Sequence, residues 1–304
     1  MATTPQELLD WQIDLAGVVI GHGTRVLIED IDGNGTPPKR STAQPIPGED
    51  GSYPGRDLLG VRSLRIQAGI RTPGDPAAAL DLLAQLEATA DSPVRLEPGA
   101  TDVLRIRRPG RPARRQYGRV LSVEPVSMAR AVHGWIPVHI TFEGLDPAWY
   151  ADEVSGVTMP LDTSNRDKQG FTAPLRAPLT AGTADPESRP GRAVNAGNRP
   201  SWPTIRITGP VVNPKIWVVG YPDAVLEFEP LALGDDEWID IETRPGTRWV
   251  TRNGGGSAAG LLTRRSRLDA FAIPPGRSDI RWSAQDATNT ARLNITWRSA
   301  STSL

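Results

Sequence analysis

The sequence predicts a mainly β protein, with a β-rich domain carrying one α-helix over residues 1–150 and a β-sandwich over residues 151–304. Three observations predict it. A chain of 304 residues is long enough for two domains of ordinary size, each able to bury its own core. Its 30 Gly and 29 Pro punctuate the chain too often for long helices and favour short strands joined by turns. Apolar residues recur mostly at every second position, the strand period, and only one stretch follows the helical period.

Residues Trp11 to Ile20 alternate around Ile13 and Leu15 and then run apolar, which predicts one strand entering a core. Gly21 and Gly23 bracket His22 in a turn before a second strand, Thr24 to Ile31. From Asp32 to Arg56 the chain is rich in Gly, Pro, Ser and Asp and reads as one long exposed loop. Loops longer than about 12–15 residues are uncommon in compact domains unless functional or disordered, and this one is expected to pack on a neighbouring subunit or to line a ring. Its Asp30, Asp32, Asn34 and Gly35 match the opening of a calcium loop, but the twelfth position is Ser41 where a bidentate Glu is needed. Gly60 to Thr72 alternates Val61, Leu64, Ile66, Ala68 and Ile70, with a slip near Ser63 that predicts a bulge.

The helix follows. Asp75 is a good N-cap, Pro76 suits the first helical position, and Ala79, Leu82, Leu83, Leu86 and Ala90 form one apolar stripe that packs on a sheet. Pro93 stops it. Val94 to Glu97 and Asp102 to Arg107 come next, then a turn at Pro109 to Pro112 and a returning strand from Gln116 to Glu124. Trp135 to Phe142 places Ile136, Val138, Ile140 and Phe142 inward and His139 outward, and Pro137 demotes its first part to an edge or a bulge. Trp149 and Tyr150 close the domain as caps on its core.

In the second domain Val157 to Leu161 is extended, and residues 162–192 read as a loop-rich linker. Ile205 and Ile207 alternate with Thr204, Arg206 and Thr208, and beyond Gly209-Pro210 a second strand, Lys215 to Val219, puts Ile216 and Val218 on one face. These two strands read as an opening hairpin. Ala224–Glu229, Glu237–Ile241, Arg248–Thr251, Ser278–Ala284 and Arg292–Arg298 supply further short strands, and turn signals at short intervals make the whole a sandwich.

The composition narrows function mainly by exclusion. With no cysteine there is no disulfide, thiolate site or cysteine nucleophile, and three histidines supply metal or His-based chemistry poorly. There is no G-x-S-x-G, no H-E-x-x-H and no Gly-rich phosphate loop opening a helix; Gly254-Gly255-Gly256 precedes no such helix. The carboxylates Asp236, Asp240 and Glu242 line an acidic outer strand face, which does not make a glycosidase pair. We therefore expect no enzyme activity, cofactor or metal. The first residues have neither the basic start nor the apolar core of a signal peptide, and no apolar run approaches the roughly 18 residues of a membrane span. A net charge of −1 gives no global field for nucleic acid.

Two local features remain. The hairpin over residues 102–124 concentrates Arg105, Arg107, Arg108, Arg111, Arg114 and Arg115, with Arg119 beyond. Guanidinium groups pair bidentately with phosphates, so nucleic-acid binding is one reading; a solvated tip, or one meeting carboxylates of a neighbouring subunit, is the other and the one we favour, since only Tyr117 is interleaved as an aromatic platform. Of the nine Trp, Trp282 and Trp297 fall on the core side, whereas Trp217 and Trp238 alternate out of phase with the aliphatic residues of their strands. They are candidate contacts for a partner subunit or for a glycan.

The block Asn195-x-Gly197-x-x-Pro200-x-Trp202-Pro203-x-Ile205-x-Ile207-x-Gly209-Pro210-x-x-Asn213-Pro214, with the Pro274-Pro275-Gly276 turn and a last strand ending in Trp297-Arg298, resembles the C-terminal half of siphophage distal tail proteins. Gly144 to Tyr150, GLDPAWY, is similar to the end of that family's ring-forming domain. The resemblance implies an N-terminal domain assembling as a homohexameric ring and a peripheral galectin-like sandwich. It implies a structural virion protein, made in the host cytoplasm and placed at the distal end of the tail. Its partners would be the tail tube protein and the tip or baseplate hub, with DNA only as cargo passing through the lumen. The alternative is a carbohydrate-binding module for the host surface. The region from Asp32 to Arg56 carries no signature of the family.

Overall fold

The computed structural model of the chain describes residues 6–161, 191–286, 288 and 290–304; the expected linker lies outside the described residues except for Gly191 and Arg192. The chain divides into two compact units, one running to Asp152 and joined by Ser301–Leu304, the other from Glu153 to Ala300.

In the first unit the strands are β1 (Gln12–Leu15), β2 (Val18–Gly21), β3 (Val26–Asp32), β4 (Lys39–Arg40), β5 (Gln44–Pro45), β6 (Ser52–Tyr53), β7 (Leu58–Leu59), β8 (Arg62–Arg71), β9 (Asp102–Arg107), β10 (Arg114–Pro125), β11 (Trp135–Gly144) and β12 (Trp149–Ala151). The main sheet runs β2-β1-β9-β10-β11-β8-β3, with β12 also beside β10. Helix α1 (Pro76–Ala90) starts where Asp75 accepts the Ala78 amide at 2.9 Å, and it buries Ala79, Leu83, Leu86 and Thr89 against the sheet. Leu64, Ile66, Ile70, Ile136, Val138, Ile140 and Phe142 are fully buried beneath it.

Several expectations change. Trp11–Ile20 is not one strand but the β1–β2 hairpin: Ala16 and Gly17 both take positive φ (50° and 97°), and Asp14 accepts the Gly17 amide at 2.7 Å. Two positive φ values in a two-residue turn match the twist of the flanking strands. The loop from Asp32 to Arg56 holds two small ladders, β4 with β7 and β5 with β6. Val94 to Glu97 belongs to a 3₁₀ turn, Pro93–Leu96, capped by the Ser92 hydroxyl. No bulge breaks β8, whose pairing with β11 is continuous from Arg62 to Arg71. The inward set starts at Arg62 and leaves Val61 exposed. Nor does Pro137 lie on an edge, because β11 is flanked by β10 and β8. In a strand the N and C=O of one residue face the same side, and the Pro137 carbonyl accepts from Val126 at 2.8 Å, just past the last β10–β11 pair. The missing proline donor therefore faces Val126, where the β10–β11 hydrogen bonding ends on that single bond.

The second unit stacks two sheets over one core. One runs β13 (Ser155–Pro160), β22 (Arg292–Trp297), β15 (Thr204–Thr208), β19 (Trp238–Glu242), β20 (Trp249–Arg252); the other runs β14 (Arg192–Asn195), β21 (Gly276–Gln285), β16 (Val211–Val218), β17 (Val225–Glu227), with β18 (Ala232–Leu233) also on β16. Ile205, Ile207, Ile239, Leu293 and Ile295 from the first meet Ile216, Val218, Leu226, Ile280 and Trp282 from the second. The expected opening hairpin is therefore a corner: β15 pairs with β19 and β22, while β16 crosses to the opposite sheet. At that corner a Cβ on Gly209 would lie 2.2 Å from the Gly234 carbonyl oxygen, so only glycine fits.

Candidate assembly and binding surfaces

Antiparallel pairing puts β9 between β1 and β10, and it sets Asp14 directly opposite Arg105 and Gln12 opposite Arg107. Arg105 is 5% exposed. Its Nη1 donates to Asp14 at 2.9 Å, its Nη2 to Asp152 at 2.7 Å and to the Gln6 carbonyl at 3.0 Å, and its Nε to both Asp152 oxygens at 3.1 Å. Arg115 adds Nε to Asp152 Oδ1 at 2.9 Å. Burial alone would push the Asp152 carboxyl up, but the hydrogen bonds and charges of Arg105 and Arg115 outweigh it and hold the carboxyl below the usual range. Burial likewise works against the Arg105 charge, and the bonds to Asp152 and Asp14 reverse the effect and raise its pKa.

The remaining arginines divide. Arg107 forms ion pairs with Glu7 at 3.0 Å and Asp10 at 3.2 Å, and it donates to the Leu8 carbonyl at 2.8 Å. Arg111 donates to the Leu304 carbonyl at 2.9 Å, and Arg119 to the carbonyls of Arg95, Glu97 and Ala100. Arg114 is half-buried with its Nε unpaired; burial and the nearby Arg111 charge both lower its pKa. The Arg108 carbonyl accepts the Arg111 amide at 3.2 Å, but its guanidinium makes no ion pair or hydrogen bond among the described residues. It borders, with Arg107 and the exposed Trp11, a cleft of 470 Å³ floored by Ile13, Ile28, Ile31 and Ile106. What looked in the sequence like one basic patch is thus three kinds of site. Arg105, Arg107 and Arg115 meet carboxylates of their own chain, Arg111 and Arg119 satisfy carbonyls, and Arg108 and Arg114 keep uncommitted donors.

A residue that the sequence reading passed over is Arg62. It is 1% exposed, stacks its guanidinium 5.7 Å from the centroid of the buried Trp149 ring, and donates to the carbonyls of Gly35, Pro147 (3.2 Å) and Thr302 (3.1 Å). Tyr150, packed edge-on against Tyr117, donates to Asp146, and Asp146 also accepts the Ala148 amide. The signal was present: Arg62 shares the parity of Leu64, Ile66, Ala68 and Ile70.

In the second unit both candidate tryptophans are half-buried on outer faces. Trp238 is already covered. Arg206 lies 5.5 Å from its ring centroid while gripping Asp240 at 2.6 and 2.8 Å, and the indole donates to the same carboxylate at 3.1 Å. Trp217 has no such cover among the described residues, and it lines a groove of 600 Å³ with Tyr221, Val225, Lys215, Ser283 and Arg265. Trp282 and Trp297 sit in the core and donate to the carbonyls of Pro160 and Val194. No three His, Asp or Glu side chains converge in metal-binding geometry among the described residues; Asp30 accepts the Ile31 amide and Asp32 the Gln67 amide group.

No protein-family model matches the chain, and no curated protein matches it. Solved structures do. The chain is similar to the crystal structure of the Dit protein of phage SPP1, described as a paradigm of the hub adsorption apparatus of phages that infect Gram-positive bacteria. The TM-score is 0.58 and the identity 13%, over 95% of this chain and 98% of that one. It is similar also to a chain of the phage P2 baseplate in its activated conformation with Ca, at TM-score 0.54 and 12% identity over 94% and 97% of the two chains. The same baseplate with Sr gives 0.50 and 12% over 94% and 96%. At such identities the likeness is one of fold, and it runs from end to end of both chains.

Proposed function

We propose that this chain is a distal tail protein of a siphophage: a structural virion component whose copies close into a homohexameric ring joining the tail tube to the tip or baseplate hub, with DNA crossing the lumen at ejection. The observation that carries the reading is the reciprocal coverage, 95% and 98%, of the fold shared with SPP1 Dit. A likeness confined to one sandwich would fit many binding modules; one that spans both units together fits a protein doing the work of the whole chain. In a ring each contact is heterologous, so one face of a subunit must complement a different face of the next. The cleft beside Trp11, Arg107 and Arg108, with its apolar floor and uncommitted Arg108, is the face of the first unit best suited to such a contact.

On this reading the protein has no catalytic role and needs no cofactor. The most strongly engaged ionisable groups, Arg105 and Asp152, are spent on each other and not held in a cleft where a substrate could reach them. The test is the mass of the full chain in solution across concentration and salt, followed by negative-stain images. Six-fold rings with an open centre support the reading. A strict monomer that also fails to join purified tail tube or hub protein would overturn it.

A further inference from the structure

The groove over Trp217 has a composition of its own. Strand pairing puts Trp217 between Val225 on β17 and Arg281 on β21, and Lys215 opposite Ser283, all on the outward face of the sheet. The turn from Val218 to Ala224, closed by the Tyr221 amide on the Val218 carbonyl (3.2 Å) and the Ala224 amide on the Tyr221 carbonyl (3.0 Å), stands Tyr221 up at one end, 48% exposed. At the other side the chain after β20 returns along β17. Thr263 and Arg267 donate backbone amides to the Glu227 and Val225 carbonyls, and the Ser266 hydroxyl accepts the Glu227 amide at 2.8 Å. That tether holds Arg265 over the groove, exposed and without an ion pair or hydrogen bond among the described residues.

An exposed Tyr221 and a half-buried Trp217 set around a shallow groove make a surface on which the C–H face of a sugar packs, since each ring offers an apolar body with a polar tip. The charges then choose among sugars. The groove is lined by two cations and no carboxylate. Lys215 is already neutralised by Glu227 at 3.2 Å, which leaves the Arg265 guanidinium, whose fork matches a carboxylate or phosphate. Trp238, by contrast, has its face filled by Arg206 and its N–H taken by Asp240. We propose that the Trp217 groove binds an acidic saccharide, the sugar ring stacking on Trp217 and Tyr221 and its anionic group pairing with Arg265. The site stands independently of ring assembly, so either can fail without the other.

The experiment is calorimetric titration of the full chain with tetragalacturonate, mannose phosphate and neutral maltotetraose. Saturable binding of an acidic probe is expected, with maltotetraose at least about tenfold weaker; the tighter of the two acidic probes identifies the anion as carboxylate or phosphate. Arg265→Gln, an exposed change that does not disturb the core, should cost about tenfold on the acidic probe and leave maltotetraose unchanged. Trp217→Leu should abolish binding of all three, while Trp238→Phe should titrate like the parent. No saturable binding of either acidic probe, equal binding of maltotetraose, or an Arg265→Gln variant indistinguishable from the parent would each overturn the proposal.

Discussion

Removing the Asp152 carboxylate tests the central electrostatic feature of the first unit. Asp152→Ala takes from Arg115 its bonds to Oδ1 and from Arg105 its contacts at 3.1, 3.1 and 2.7 Å, leaving Arg105 with Asp14 and the Gln6 carbonyl. The side chains are well enclosed, Arg105 at 6%, Arg115 at 12% and Asp152 at 16% exposure. Deleting one member of a buried pair strands the opposite charge and typically costs 3–5 kcal/mol; the surviving Asp14 contact puts this case at about 3 kcal/mol. For a unit of this size that is a fall of roughly 6–12 °C in its melting midpoint. Scanning calorimetry is the assay, because two cores allow two transitions and the sandwich transition then serves as an internal standard.

The pH dependence of the same variant has a definite sign. The folded Asp152 carboxyl titrates below its unfolded value, so its contribution is complete above an unfolded pKa of about 3.9 and is lost as pH falls through the folded value. The gap between parent and Asp152→Ala should hold from neutral pH down to about 4 and close below it. A midpoint shift under about 2 °C at neutral pH, or a gap that widens in acid, would refute the account.

Two further predictions follow from burial and from close approach. Arg62→Met should lower the first transition by about 3 kcal/mol, because it keeps much of the volume over Trp149 but orphans the carbonyls of Gly35, Pro147 and Thr302; a neutral result in calorimetry would mean that water reaches them. Gly118→Ala would put a Cβ 2.0 Å from the Glu143 carbonyl oxygen and 2.7 Å from Phe142, inside the β10–β11 ladder where the backbone cannot yield. It should cost about 3 kcal/mol or more, or give insoluble protein, and parent-like unfolding in denaturant would contradict the register described here.

How far the sequence could be read depended on the range of the interaction that decides each feature. Helix α1 was legible because cap, proline and apolar stripe all lie within its own residues, and β11 because strict alternation names its buried face. Alternation names a face, though, and never a partner. Hence β15 and β16 looked like a hairpin, when the same inward isoleucines serve equally well from opposite sheets. The arginine hairpin shows the same limit: the carboxylates that pair with Arg105, Arg107 and Arg115 are Glu7, Asp10, Asp14 and Asp152, far from them along the chain. Trp217 and Trp238 were equivalent by parity and separate only once Arg206 is seen to cover one of them.

Because Ser301–Leu304 belong to the same unit as the residues up to Asp152, the sandwich is an insertion in the first unit and not a module appended to it. Arg62 and Arg111, both early in the chain, find acceptors at Thr302 and Leu304. On a ribosome the first unit can collapse early but cannot complete these contacts until the whole sandwich has been synthesised. A product truncated within the sandwich would carry a first unit in which Arg62 and Arg111 lack the Thr302 and Leu304 acceptors, and so a less stable one.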